Sequence, residues 1–285
     1  MLPPTSIFRR MPAALPLMQR RFLGALAYAS DCAELSFARV KDSARAYHLP
    51  LDGLSHEEAG WVPARRLSII ADAWACVDHV NRARALVKRS PYGDPRPSEV
   101  DPFLAATKPA LDIRNRIQHL EEDIFTGANC AEGNPVLGVV AWADARIAGG
   151  HVRYSISSGP TIDNGLMAWT TLVDVDGADD VLDFTLKAAD RTIHLDETMK
   201  ALADFMAEFE VTVTRAIISG LRETALQRGV SLQEPRPHGI ADMTMAMRMR
   251  RKAAGGWECG DGDGFGLVEV PSGSFNISQE PVDVV

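Results

Sequence analysis

The feature that most constrains this chain is a change of period along it. Up to about residue 125 and again after Asp196, apolar residues recur at alternating spacings of three and four, as on one face of an amphipathic helix. Between Gly133 and Asp196 the pattern switches to short alternating runs, broken by Gly149-Gly150, Asp163-Asn164-Gly165 and the acidic stretch Asp174 to Asp180. Gly-Gly and Asn-Gly are hairpin signals, because tight turns need the positive φ that these residues adopt at little cost. The order predicts an α+β fold: a bundle of four long helices, with a small antiparallel β-meander inserted between the third and fourth.

The first helix is expected from Leu17 to His48, with Leu23, Leu26, Ser30, Ala33, Phe37, Val40, Ala44 and Tyr47 on one face. Pro50 and Gly53 then punctuate the chain. The second helix starts at Glu57 or Pro63 and reaches Arg89, and its stripe of Leu67, Ile70, Trp74, Val77, Asn81 and Arg84 is apolar first and polar at its end. That polar end is either solvated or, with Asp78 and Arg82, the border of a cleft. Pro91, Pro95 and Pro97 make a breaker before a third helix, from Ser98 or Pro102 to Phe125. Two helices joined in this way lie antiparallel, which brings Arg82 to Arg89 near the start of the third.

Four strands are expected at 136–147, 151–157, 166–174 and 181–188. Asp196 is placed as N-cap of the last helix, whose stripe is Leu202, Phe205, Phe209, Val213, Ile217 and Leu221. Residues 1–16, with four prolines, read as a loose arm, residues 17–228 as the bundle with its sheet at about 136–190, and residues 229–285 as a flexible tail. Within that tail the basic segment Arg248 to Lys252 reads as a short helix at most. Gly260 to Gly266 lacks the glutamate that closes a calcium loop.

The formal net charge of -8 argues against a protein that coats nucleic acid, since phosphate neutralisation needs an excess of Lys and Arg. Nucleic-acid chemistry would use a local patch, and Arg82, Arg84, Lys88, Arg89 and Arg96 against the single acid Asp94 make one. Cys32, Cys76, Cys130 and Cys259 are scattered, with neither a Cys-x-x-Cys pair nor a histidine at metal-ligand spacing. Reduced thiols, a cytoplasmic location and no metal or other cofactor are the expectations. No apolar run approaches the ~20 residues that span a bilayer, and Arg20 to Ala27 reads as a helix start rather than an export signal.

The candidate site lies in the run Leu111 to Ile124. Ile113, Ile117, Leu120 and Ile124 form one apolar stripe of the third helix. At about 100° per residue Asn115 and His119 point nearly opposite it, and Arg114 and Arg116 flank it. Arg114, Asn115 and His119 thus read as an arginine, a polar residue and a histidine on one helix, free of the core.

This arrangement resembles the HEPN superfamily, whose signature is an arginine, a polar residue and, a few residues on, a histidine on a helix of a small bundle. The resemblance implies a homodimer in which the motif helices face each other and build a metal-independent endoribonuclease site. It implies His119 as general acid or base at the ribose 2′-hydroxyl, Arg114 on the phosphate, and Asn115 orienting either; Arg82, Arg84 and Arg116 are the candidate substrate-binding residues. The same residues admit a reading without chemistry, with Arg116 paired to Asp112 and His119 to Glu122 or Asp123 on a solvated face. The alternative function is a non-catalytic helical module for interaction and dimerisation.

Overall fold

Helix α1 (Leu17–Arg45) starts where Pro16 leaves the helical region at ψ 142°, and Arg20 N–H closes its first turn on Pro16 O at 3.1 Å. The computed structural model describes residues 2–3, 5–9, 11, 15–46, 63–92, 97–118, 138–144, 152–157, 181–188, 191–227, 249–251 and 257–259. α1 buries Leu23, Leu26, Ala33 and Val40 completely, so its apolar stripe falls where the spacing puts it, and Arg20 to Ala27 lies inside the helix. Helix α2 (Pro63–Lys88) runs antiparallel beside it. Both helices carry small buried residues, Ala29, Ser30 and Ser36 on α1 and Ala73 and Ala83 on α2, of the kind that allow helix backbones to come close. Arg39 with Asp72 at 2.7 Å and Arg65 Nη1 on Ala46 O at 2.6 Å fix the pairing from outside.

The third helix departs from expectation: it is two helices, α3 (Val100–Ala106) and α4 (Lys108–Gln118). Pro109 is the cause, since it has no N–H to donate and its ring would strike the preceding turn of a continuous helix. In the first turn of α4 it costs nothing. Thr107, fully buried, caps α3 with its N–H and hydroxyl both on Phe103 O, at 3.0 and 2.6 Å. The end expected at Phe125 lies outside the described residues.

Strands β1 (Val139–Asp144), β2 (Val152–Ser157), β3 (Val181–Ala188) and β4 (Arg191–His194) form an antiparallel sheet in the order β2-β1-β3-β4. The fold is therefore α+β, with five helices among the described residues once α5 (Leu195–Gln227) is counted. A meander would order its strands as the chain does, whereas here β1 sits between β2 and β3. The strand expected at 166–174 lies outside the described residues, and β4, which was not expected, completes the sheet.

All six residues of β1 are buried, so both faces of the sheet are covered. Val140, Trp142, Tyr154, Ile156, Leu186 and Ile193 share the face that joins the main core. Trp142 stacks on Tyr154 and Phe184, with centroids 5.3 and 6.1 Å away, and Phe184 meets Phe37 of α1 edge-on at 5.7 Å. The β1–β3 register shifts between Ala141 and Ala143, and Asp183 takes up the extra residue at φ 57°. Asp183 is held by Arg153 of β2, both nearly buried, with His194 Nδ1 at 3.9 Å. Gly138, at φ 82°, admits no side chain, because a Cβ would collide with Lys187 O.

α5 carries its stripe as expected, with Leu202, Phe205, Phe209, Val213 and Ile217 buried. Asp196 is not its N-cap. It lies in the first turn and accepts Phe184 N–H at 2.6 Å, with Lys41 Nζ 3.7 Å away. Burial raises its pKa above the ordinary carboxylate value, against the pull of that hydrogen bond and of Lys41.

The N-terminal arm is also unlike the loose segment expected. Phe8 is buried and stacks on Phe209 at 6.2 Å, Leu2 N–H donates to Asp31 Oδ1 at 2.9 Å, and Ile7 N–H donates to Glu210 Oε1 at 2.9 Å. Near the other end, Met249–Arg251 (β5) and Trp257–Cys259 (β6) pair as antiparallel strands, so the described part of the basic segment, Met249–Arg251, is β rather than helical. The remainder of the expected tail lies outside the described residues.

Replacing Trp142 by alanine removes the largest side chain from the sheet–helix interface. The expected cost is about 3–5 kcal/mol, read as a lower midpoint in denaturant unfolding with an unchanged slope.

Candidate functional site

Asn81 and Arg84 settle how α2 meets the α3–α4 pair. Asn81 is buried and donates from Nδ2 to Ala110 O at 2.6 Å and to Val77 O at 3.2 Å. Arg84 reaches Leu104 O and, at 2.6 Å, Thr107 Oγ1. The polar end of the α2 stripe is thus neither solvated nor a cleft border: it caps the joint between α3 and α4. The expected proximity of Arg82 to Arg89 to the motif helix holds through Arg84, but Arg84 serves there as a strut bonded to backbone and hydroxyl.

One turn earlier on α2, Asp78 holds two arginines. Its Oδ1 accepts Arg114 Nε of α4 at 2.9 Å, and its Oδ2 accepts Arg82 Nε at 2.8 Å. The ion pair expected between Asp78 and Arg82 is present, and Arg114 joins it from the neighbouring helix. The Arg114 side chain is 34% exposed and that of Arg82 is 60% exposed, so both guanidinium groups keep a solvent-facing side. Burial pushes the Asp78 carboxyl up, but the bonds and charges of Arg114 and Arg82 outweigh it and hold the pKa below the usual carboxylate value.

Around this hub the described residues place Asn115 on the exposed side of α4 and Ile113 in the core, as the spacing implies. His119 and the side chain of Arg116 lie outside the described residues, as do Glu122 and Asp123, the partners expected for His119; Asp112, expected to pair with Arg116, is half-buried on α4. Arg82 and Arg114 are therefore brought together on Asp78, Asn115 follows Arg114 on the exposed side of α4, and Arg84 is bonded instead to Leu104 O and Thr107 Oγ1.

Two side chains at this face were not singled out from the sequence. His79 follows Asp78 and lies one turn before Arg82, a spacing that could have drawn attention to it. Burial lowers its pKa, and Arg82 and Arg39 lower it further against Asp78, so the imidazole is neutral at pH 7. Tyr28 of α1 is the other, with its phenol raised by a hydrogen bond to Cys32 and the Cys32 charge, and lowered in part by Arg82. That Arg82 acts on Tyr28 depends on how α1 and α2 pair, which the spacing of α1 by itself does not give. Chemically the face offers two anchored cations, an exposed carboxamide and a neutral imidazole.

Cys32 and Cys76 are free thiols, and burial, then the Asp196 charge, push Cys76 up to about 12. Among the described residues no three His, Cys, Asp or Glu side chains cluster as metal ligands, and no helix is long and apolar enough to cross a membrane.

Asp78 has a depressed pKa in the folded state, so the stability it contributes is present above its unfolded value near pH 4 and is lost as pH falls through its folded value. Asp78→Asn is expected to cost about 1 kcal/mol at pH 7 and progressively less below about pH 4. Thermal melts of both proteins at a series of pH values read the difference.

No family model, curated protein or solved structure matches this chain.

Proposed function

We propose that this protein is a HEPN-like metal-independent endoribonuclease, or an RNA-binding protein derived from one, acting as a homodimer. The finer architecture belongs to the same reading: a bundle of long helices in which α3 and α4 together stand as the third, with the sheet inserted before the fourth. The observation that carries it is the meeting of Arg114 and Arg82 on one carboxylate beside exposed Asn115. Asp78 fixes the two guanidinium groups at their Nε sides and leaves other N–H donors for a phosphate, the fork geometry that suits such an anion.

In this reading His119, four residues beyond Asn115 in the sequence, moves the proton at the ribose 2′-hydroxyl, and the reference pKa of histidine near 6.5 suits that task at neutral pH. Arg114 stabilises the charge that develops on the phosphate. A second reading, a dimerising interaction module without chemistry, is favoured by one observation: Asp78 already neutralises part of the charge of both arginines.

Incubation of purified protein with labelled RNA in EDTA separates the two readings. Cleavage is expected from the wild type and should fall roughly 100-fold to 10,000-fold in His119→Ala. Asn115→Ala should change stability by no more than about 0.5 kcal/mol. Arg82→Ala should weaken RNA binding and reduce its salt dependence by about one ion. Absence of both cleavage and binding supports the interaction module, and cleavage that survives His119→Ala while His79→Ala abolishes it moves the proton-transfer role to α2.

A further inference from the structure

α1 is buried along much of its surface, and among its solvent-exposed positions, which also include Leu17, Arg20 and Ala38, one set falls on a single seam. Met18, Arg21, Ala25, Tyr28, Cys32 and Leu35 lie on it at alternating spacings of three and four, the spacing by which one helix packs lengthwise on another. Met18 is 73% exposed, Tyr28 65% and Leu35 49%. Single exposed apolar side chains are ordinary, but these three share one line with the small residues Ala25 and Cys32 between them.

The seam is complementary to itself. When two copies of α1 are laid antiparallel about a two-fold axis between Leu26 and Ala27, Met18 falls opposite Leu35 of the second copy, Ala25 opposite Tyr28 and Arg21 opposite Cys32. Each pairing occurs twice, as an isologous contact requires, and the small Ala25 leaves room for the ring of Tyr28. Moving one copy by a heptad in one direction sets Met18 against Asp42 and Arg21 against the like-charged Arg39; in the other it carries Leu35 past the start of the facing helix at Leu17. Only the first register covers the three large apolar side chains without opposing like charges.

We propose that this strip of α1 is the surface on which a second copy of this chain docks, antiparallel, in that register. From Met18 to Leu35 the strip is about 26 Å long and about 10 Å wide. That is a few hundred Å² per copy, short of the ~800 Å² per partner of a standard stable interface, so the dimer is a reversible one. Arg82 of the Asp78 hub lies within electrostatic reach of Tyr28 on this strip. The inference rests on the preceding reading only in that the protein is a homodimer; it needs neither cleavage nor motif helices that face each other, so a dimer without ribonuclease activity leaves it intact.

Sedimentation velocity of the full chain over about 1–100 µM is the test, with circular dichroism to verify folding. The wild type should show reversible dimerisation, and Tyr28→Glu and Leu35→Glu should each weaken it at least tenfold without loss of helix. Leu226→Glu, on the exposed side of α5, should leave it unchanged. The register is tested by a cycle: Met18→Lys and Leu35→Glu each weaken the dimer, and the double variant should bind at least threefold tighter than the two effects combined, since it places opposite charges together. A wild type that stays monomeric throughout overturns the proposal. So does a dimer broken by Val211→Glu on α5 but not by Tyr28→Glu, and so does a Tyr28→Glu protein that loses RNA binding yet dimerises as before, which would assign the strip to nucleic acid.

Discussion

Most of this structure depends on the placement of Phe184 against Trp142. A strand of strict alternation that turned Leu186 and Phe184 to the core would next turn Leu182 there, yet it is Val181 that joins them. The extra residue is Asp183, and only its left-handed backbone allows the strand to change phase between Val181 and Phe184. That conformation is costly for a residue other than glycine, and it is held by a nearly buried ion pair with Arg153 two strands away. The bulge also takes the Phe184 N–H out of the ladder, and Asp196 accepts it at the first turn of α5. One inserted residue thus sets the aromatic contact with α1, the buried ion pair and the point where the last helix leaves the sheet.

The candidate site is governed by a different economy of charge. Asp78 is bonded to both Arg114 and Arg82, so it orders two long cations that would otherwise lose side-chain entropy on meeting a ligand. It also opposes that ligand, since an incoming anion must share the guanidinium charge with it. Preorganisation and competition are exerted by the same group, and the affinity of the face for phosphate is their difference.

Periodicity made the long helices legible. α1 keeps the stripe and nearly the end that its spacing implies, whereas α2 keeps its ends but buries a face turned away from the expected stripe: Ile69, Ala73, Cys76, Val80 and Ala83 are buried and Leu67 is 65% exposed. What spacing misses is decided across elements. Pro109 divides the third helix although the apolar repeat runs through it, and β4 is too short to show a pattern of its own. Asp196 has the composition of a cap but finds its donor on β3. Phe8 looks like part of a proline-rich arm until Phe209 is beside it. The site was legible in the same measure: the exposure of Asn115 and the Asp78–Arg82 pair follow from helical spacing, whereas the bond between Arg114 and Asp78 joins residues 36 positions apart.

The break at Thr107 and Pro109 has a consequence for how such a face can change over time. Arg114 stands seven residues beyond Thr107, and in an uninterrupted helix that would place it within about 20° of the side on which Thr107 is buried. Because the helix stops and restarts, α4 has its own rotational setting, and Arg114 can turn to Asp78 while Thr107 stays against Arg84. The joint behaves as an adjustable coupling between two shafts. An insertion or deletion there would swing the whole outer face of α4 relative to α2 without altering any residue on that face, so the geometry of the candidate site can diversify from outside it.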